Sequence, residues 1–214
     1  AAATGKDLLG QQNIYMFPCI LIFMGALFDF FDGFVARMLH VSSEIGKELD
    51  SLADLLTFGF APSGLYVLYL AQNYKDVLGI GIYFPLILVL FSALRLAKFN
   101  VDTRQTENFI GLTTTATAMF AASLFLALTT NVMLAGVRFD IWFIAVLIAL
   151  FSYLLVSEIP MFSLKVKTFD WKGNELRFVL IGVGLLSLVV LGVGGVAFTI
   201  VLYVVFSTVK MLLK

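Results

Sequence analysis

The residues in this chain that could do chemistry are four aspartates with helical spacing. Asp29 and Asp32 are three residues apart, and Asp50 and Asp54 are four apart, so each pair shares one face of a helix. Oxygen ligands without His or Cys suit a hard cation such as Mg²⁺ or Mn²⁺, and four carboxylates suffice for two ions. Two such ions can clamp a phosphoryl group during its displacement. The pattern therefore predicts a two-metal site for phosphoryl transfer, where one carboxylate could also accept the proton of an attacking hydroxyl.

Small residues accompany the aspartates on both helices. Gly33 and Ala36 share the face of the first aspartate pair, and Gly46 precedes the second pair by one helical turn. Such positions let a bulky ligand approach the backbone. Arg37 follows with a planar set of donors that suits phosphate oxygens, and Ser43 is a good N-cap for the second helix. Two antiparallel helices joined by a short turn would therefore bring the four carboxylates together around a phosphorylated ligand.

The remainder of the chain predicts an all-α, polytopic integral membrane bundle. Of the 214 residues, 61% are hydrophobic and 13% are charged, which is unlike a soluble domain. Ionisable groups at membrane depth cost about 2.5 to 3.5 kcal/mol each, so we expect cations at the aspartates. Seven apolar segments, most of them long enough to cross about 30 Å of hydrocarbon, are found at approximately 13–39, 50–71, 78–99, 112–130, 140–156, 177–191 and 196–213.

The last two apolar segments are short and are separated only by residues 192–195. We favour a tight helical hairpin over about 177–213, whereas one long bent helix would leave six spans. The sequence has no linker, convincing repeat or soluble domain, so we expect residues 1–214 to form one membrane domain. A further span ahead of the first residue would bring the total to eight.

Charge placement predicts the orientation, because basic residues collect in cytoplasmic loops. With the amino end outside and seven spans, all 14 basic residues except Lys6, Lys75 and Arg138 fall on the cytoplasmic side. The aspartates then face the cytoplasm, where nucleotide-linked substrates are found, and we expect a prokaryotic inner membrane. Zero net charge and dispersed basic residues argue against nucleic-acid binding.

Segment 29–54 resembles the signature of the CDP-alcohol phosphotransferase family, which is D-x-x-D-G-x-x-A-R, eight residues, then G-x-x-x-D-x-x-x-D. Every signature position is filled. Members of the family are integral membrane enzymes that displace CMP from a CDP-linked lipid or alcohol with an incoming hydroxyl. The resemblance implies that Asp29, Asp32 and Asp50 ligate two divalent cations, Mg²⁺ or Mn²⁺. It implies that Asp54 is the fourth ligand, the general base, or both, and that the enzyme is a homodimer.

The same resemblance implies which residues bind CDP. The corresponding positions are Asp29, Gly33, Ala36, Arg37 and Gly46, with Arg37 near the diphosphate. Family members also have a transmembrane helix ahead of the signature helix that helps form the cytidine pocket. This chain has no obvious counterpart, which we interpret as an amino-terminal truncation.

A second motif bears on the identity of the attacking hydroxyl. The residues R-L-A-K-F-N, beginning at Arg95, lie at the predicted cytoplasmic end of a span. Arg95 or Lys98 could hold a substrate carboxylate, and Asn100 offers a donor and an acceptor to an amino acid. Together with F-I-G-L-T at 109–113, this stretch resembles the phosphatidylserine synthase branch of the family, whose members carry R-L-A-R-F-N and F-x-G-L-P. Lys98 and Thr113 depart from those patterns. The resemblance implies CDP-diacylglycerol and L-serine as substrates, with Arg95, Lys98 and Asn100 binding serine.

Two alternatives stay open at this point. Within the same family, the acceptor could be glycerol 3-phosphate or an inositol phosphate, although a phosphate-bearing acceptor would want a denser basic pocket than Arg95 and Lys98 provide. A cation transporter could also use intramembrane acids. It would need neither Arg37 nor affinity for a nucleotide.

Overall fold

The chain is predominantly helical in the computed structural model, which describes residues 5–40, 43–102, 109–130, 137–162, 171 and 174–213. The basic residues Arg104, Lys165, Lys167, Lys172 and Lys214, which contribute to the predicted orientation, lie outside the described residues. The helices are α1 (Gly5–Leu39), α2 (Glu44–Asp54), a π-helical segment (Leu55–Phe60), α3 (Ala61–Leu78), a 3₁₀ segment (Gly79–Leu86), α4 (Ile87–Val101), α5 (Thr114–Thr130), α6 (Ile141–Val156), α7 (Glu175–Leu191) and α8 (Gly194–Leu212).

The apolar helices indicate a membrane protein. Within the described ranges, three helical stretches are long and apolar enough to cross a bilayer: Ile14–Leu39, Glu44–Val101 and Gly194–Leu212. Helices α5 and α6 are also apolar, but they are shorter, with 17 and 16 residues. The seven predicted spans lie mostly on helical residues, and the spans at 112–130, 140–156 and 196–213 extend one or two residues beyond the helices. Because several of these helices are too short to span a bilayer by length alone, the count of seven spans stays a prediction.

The turn between α1 and α2 is defined by local capping. His40 has a left-handed backbone with φ of 54°, and its Nδ1 lies 2.9 Å from the Arg37 carbonyl oxygen near the end of α1. Ser43 Oγ accepts a hydrogen bond of 3.0 Å from Gly46 N at the start of α2. This confirms Ser43 as the N-cap that the sequence predicts.

Helix α5 lies at the centre of the described bundle, where it packs against α1, α3, α8 and the π-helical segment. Its Phe125 side chain is fully buried, and the ring centres of Tyr15, Tyr66 and Tyr69 lie 5.4, 5.2 and 5.7 Å from that of Phe125. These aromatic contacts join α1 and α3 to the central helix. Helix α1, which carries Asp29 and Asp32, is therefore held against α5.

Helix α1 crosses the π-helical segment at Gly25. A Cβ atom at this position would overlap Thr57 Cγ2, so the absence of a side chain is what permits the close crossing. Asp29 follows Gly25 by about one turn on α1, and Asp54 is the last residue of α2 before the π-helical segment. The crossing therefore brings together the two helices that carry the signature aspartates.

A short antiparallel pairing joins the loops at the ends of α4 and α6, and the all-α expectation did not include it. Strand β1 (Phe109–Ile110) pairs with β2 (Pro160–Met161). Gly111 follows β1 with φ of 76°, and its N–H donates to Ile159 O at 2.9 Å. Two-residue strands leave too short a pattern to be identified from sequence alternation.

Helices α7 and α8 pack against each other around a turn at Gly192, which has φ of 58°. A Cβ atom at Gly195 would collide with the backbone of Ser187, so the two helices approach closely near the turn. The described part of this region is thus two helices with a reversal between them.

Candidate active site

Three of the four signature carboxylates converge. One carboxylate oxygen each from Asp29, Asp50 and Asp54 lies within 4.8 Å of the other two. Asp29 and Asp54 are partly buried and Asp50 is exposed, so the cluster lies between the helix interface and solvent. Asp32 is not part of this group in the described structure, although it lines the cavity beside it. The three oxygens form a hard, anionic donor set, which fits Mg²⁺ or Mn²⁺ and would be poorly suited to a soft metal.

A cavity of about 380 Å³ lies beside the carboxylate cluster. Helices α1 and α2 and the turn before α2 form its wall, so the two halves of the signature face one space. Its lining residues are Asp29, Asp32, Gly33, Ala36, Ser43, Gly46, Lys47 and Asp50. All but one of the residues predicted to bind CDP therefore line this cavity.

Arg37 is the exception among the predicted CDP-binding residues. Its side chain is exposed, and Arg37 is not among the residues that line the cavity. A Cβ atom at Gly33 would lie 3.9 Å from Arg37 Nη2, which shows that the guanidinium folds back along the Gly33 side of α1. The guanidinium is thus beside Gly33, a residue of the cavity wall.

The absence of a side chain at Gly46 leaves space in the cavity and is also required by the cap of α2. A Cβ atom at Gly46 would lie 2.8 Å from Ser43 Oγ, closer than non-bonded atoms normally approach. The same Ser43 Oγ caps α2 by accepting from Gly46 N. A side chain at Gly46 would therefore disturb the start of the helix that carries Asp50 and Asp54.

Arg95 and Lys98 line a different and much smaller cavity from the carboxylates. Arg95 is buried with 4% of its surface exposed, and its Nε donates to Leu112 O at 3.2 Å. The Arg95 guanidinium carbon also lies 5.3 Å from the centre of the Phe99 ring. Lys98 is exposed, and its Nζ donates to Val156 O at 3.3 Å. Arg95 therefore links the R-L-A-K-F-N motif to the F-I-G-L motif, and the binding of serine by these residues stays a prediction.

Asn100 contacts α2 directly, through residues that the sequence analysis missed. Its Nδ2 donates to Ser51 Oγ at 2.9 Å, and its backbone carbonyl accepts from Lys47 Nζ at 3.0 Å. Ser51 Oγ also donates to Lys47 O at 3.1 Å within α2. Lys47 directly follows Gly46 and Ser51 directly follows Asp50, so Lys47 and Ser51 are also four residues apart and share one face of α2. This spacing is the sequence signal that could have identified them.

Thr113 stands where the branch motif has proline, and it has a local structural role. Thr113 immediately precedes α5, and its Oγ1 accepts a hydrogen bond of 3.2 Å from the backbone N–H of Ala116 in the first turn of the helix. A threonine at this position caps the helix, so the departure from the motif leaves the start of α5 well defined.

Comparisons with known proteins show what the chain is similar to. The chain is 34% identical over 120 residues to the CDP-diacylglycerol–serine O-phosphatidyltransferase of Helicobacter pylori, covering 52% of this chain and 49% of that protein. It is 45% identical over 93 residues to the protein of that name in Bacillus subtilis, covering 44% and 51%. It is 40% identical over 114 residues to the archaetidylserine synthase of Methanothermobacter thermautotrophicus, covering 50% and 46%. The chain thus spans about half the length of the relatives that it matches.

The family model described as CDP-alcohol phosphatidyltransferase matches residues 7–156, which is more than half of the chain. The match includes both halves of the aspartate signature and the R-L-A-K-F-N motif. It confirms the resemblance that the signature indicates. The chain belongs to the CDP-alcohol phosphatidyltransferase family.

Proposed function

We propose that this protein transfers a phosphatidyl group from CDP-diacylglycerol to L-serine, forming phosphatidylserine and releasing CMP. The observation that carries the proposal is the convergence of Asp29, Asp50 and Asp54 beside a cavity lined by the family signature. Membership of the family supports the reaction type. The names of the relatives from Helicobacter pylori and Bacillus subtilis support CDP-diacylglycerol and serine as the substrates.

Asp29, Asp50 and Asp54 would hold the divalent cations, with Asp32 contributing from the cavity wall. We propose two ions, Mg²⁺ or Mn²⁺, because four carboxylates on two facing helices provide enough oxygen ligands. When bound, two such ions offset the negative charge that develops on the attacking and leaving oxygens.

The nucleotide half of the substrate would occupy the cavity between α1 and α2. Gly33, Ala36 and Gly46 present little side chain there, so the nucleotide can lie close to the backbone. Arg37 would reach the diphosphate from the edge of the cavity beside Gly33. These residues would orient the lipid-side phosphorus toward the carboxylate cluster.

Asp54 is the residue we assign as the general base. It belongs to the carboxylate cluster and is partly buried, whereas the residues that line the nucleotide cavity do not include it. As the serine oxygen bonds to the lipid-side phosphorus, the bond from that phosphorus to the CMP oxygen breaks, and CMP leaves with the electron pair. The proton of the serine hydroxyl passes to the Asp54 carboxylate.

The acceptor amino acid would bind at the R-L-A-K-F-N motif. Lys98 is exposed and would pair with the serine carboxylate, and Asn100 would offer its polar groups to the amino acid. Arg95 would contribute positive charge from its buried position against Leu112. Glycerol 3-phosphate and inositol phosphate are alternative acceptors, and the relatives named for serine favour the amino acid.

We also propose the setting of the reaction. Seven helices would span a prokaryotic inner membrane, residues 1–214 would form one domain, and two chains would form a homodimer. The aspartates would face the cytoplasm, because the acyl chains stay in the bilayer while CMP and serine are water-soluble.

The experiment that tests this function measures CMP release from CDP-diacylglycerol by the purified protein in detergent with Mg²⁺ or Mn²⁺. L-serine, glycerol 3-phosphate and inositol phosphate are compared as acceptors, with and without a chelator. We expect release that depends on serine and that stops when the metal is removed. Release with another acceptor would overturn the serine assignment, and an absence of both release and CDP binding would favour a cation transporter.

A further inference from the structure

Of the described residues that line the cavity beside the carboxylate cluster, Lys47 is the one with a basic side chain. Neither the aspartate signature nor the R-L-A-K-F-N motif includes it. It shares the cavity wall with Asp29, Asp32 and Asp50, and its side chain is exposed rather than packed away. A diphosphate entering this cavity would meet three carboxylates, so a cation on the wall opposes part of that repulsion.

The position of the Lys47 ammonium is fixed by the acceptor motif. Its Nζ lies 3.0 Å from the backbone carbonyl of Asn100, which uses one of its three donors. The ammonium therefore stands where the nucleotide cavity meets the R-L-A-K-F-N segment. With serine bound at this motif, as proposed above, the phosphorus under attack would lie at the same boundary, and it is the lipid-side phosphorus of the diphosphate.

A second contact holds this arrangement in place. The Asn100 amide donates to Ser51 Oγ, and Ser51 lies one helical turn after Lys47 on α2. Asn100 thus contacts α2 at two points, through its side chain and through its carbonyl. A lysine held in this way loses little further side-chain freedom when it binds an anion.

From these contacts we propose that Lys47 binds the lipid-side phosphate of the CDP-linked substrate, through the ammonium donors that Asn100 leaves free. This inference rests on the proposed function, because it requires a CDP-linked substrate in the cavity. It makes Lys47 a substrate-binding residue of the donor site and gives the Ser51 and Asn100 contact a positioning role. Arg37 would then act from the α1 side of the cavity and Lys47 from the α2 side.

The test compares the binding of CDP and CMP by calorimetry, using the purified full chain in detergent with Mg²⁺. CDP carries the second phosphate that Lys47 would contact, and CMP lacks it. We expect Lys47→Met to weaken CDP binding by about tenfold or more, with CMP binding nearly unchanged. Lys47→Arg should restore much of the loss because it keeps the charge. Lys75→Met, which removes an exposed lysine at the end of α3, is the matched control and should match the wild type.

The other outcomes separate this inference from the proposed function. Wild-type protein that binds no CDP would overturn both. If the wild type binds CDP and turns over, and Lys47→Met has the same ratio of CDP affinity to CMP affinity as the wild type, only the role of Lys47 is overturned. Ser51→Ala serves as the structural comparison, because it breaks the contact with Asn100 without removing the ammonium. If Lys47→Met and Ser51→Ala lower the unfolding temperature alike and leave the nucleotide preference intact, Lys47 only ties α2 to α4 and the inference is wrong.

Discussion

Gly25 of α1 lies so close to Thr57 of the π-helical segment that a single added Cβ atom would overlap the threonine methyl group. Asp29 stands one turn beyond this crossing on α1, and Asp54 stands just before the π-helical segment. We therefore expect the separation of the two helices at Gly25 to influence the separation of the carboxylates, although Gly25 lies outside the aspartate signature.

Replacing Gly25 with alanine should displace Asp29 from Asp50 and Asp54. Overpacking of this kind costs about 1 to 3 kcal/mol of stability, and a shift of about 1 Å at a reacting centre can reduce the rate about a hundredfold. We expect CMP release to fall and the Mn²⁺ concentration for half-maximal activity to rise. Gly64→Ala is the control, since a Cβ atom at Gly64 meets nothing within 4 Å. Equal activities for the two variants would show that the crossing does not set the metal geometry.

Replacing Asp50 with asparagine should abolish phosphatidyl transfer while the protein stays folded. Asp50 is the exposed member of the carboxylate cluster, so its loss removes a charged ligand without leaving a buried cavity. The loss should exceed the roughly 10- to 100-fold effect typical of residues that only support metal ligands. CMP release and the elution profile in detergent measure the two effects.

Glu48→Gln provides the charge control for Asp50→Asn, because Glu48 is an exposed acid on the same helix that does not line the cavity. We expect activity close to that of the wild type. Full turnover by Asp50→Asn in the presence of metal and substrates would contradict the assignment of Asp50 as a ligand.

Replacing Gly111 with alanine should destabilise the junction between α4, α5 and α6. The residue has φ of 76°, where a left-handed backbone costs a non-glycine residue about 1 to 2 kcal/mol. A Cβ atom would also lie 2.8 Å from Ser157 O and 2.9 Å from Leu155 O. Thermal unfolding in detergent should show a clear loss of stability, with activity falling because Leu112 no longer holds Arg95 in place.

The control for Gly111→Ala is Gly182→Ala, because a Cβ atom at Gly182 of α7 meets nothing within 4 Å. This variant should unfold at the wild-type temperature or slightly above it. If the two variants unfold alike, the strain that we assign to Gly111 is absent.

The sequence predicts the local part of the site well, since that part depends on helical spacing. The pattern places Asp29 and Asp32 on one face of a helix and identifies Ser43 as the cap of the next. It cannot predict that Asp32 faces the cavity while Asp29 joins the cluster, because this depends on the rotation of α1 against the π-helical segment. Such rotation is a property of packing and leaves no periodic signal in the sequence.

The contacts between motifs were also beyond the reach of spacing rules. In the sequence, Arg95 is a basic residue at the predicted cytoplasmic end of a span, where such residues are common. In the structure it is buried and bonded to Leu112, which lies in the loop before α5. The pairing of Lys47 and Ser51 with Asn100 joins residues about 50 positions apart. The sequence pattern identifies the residues within the family signature as candidates, whereas the residues that connect the motifs needed the tertiary fold.

The two cations of the R-L-A-K-F-N motif should respond differently to substitution. Arg95 is buried and donates from Nε to Leu112 O, and a lysine cannot reproduce that planar donor set. Arg95→Lys should therefore cost about 1 to 3 kcal/mol of stability and lower the maximal rate. Lys98 is exposed, so Lys98→Met should leave the unfolding temperature unchanged and raise the KM for serine about tenfold through loss of a charge-assisted contact.

Lys98→Arg keeps the positive charge at this position and changes the shape of the group that carries it. Because arginine is the residue that the branch motif has there, this variant should bind serine as well as or better than the wild type. Serine KM, the maximal rate and the unfolding temperature are measured for all three variants. A selective rise in serine KM for Arg95→Lys with an unchanged unfolding temperature would mean that Arg95 contacts the substrate. In that case the Nη donors of the guanidinium would reach serine while Nε keeps its bond to Leu112 O.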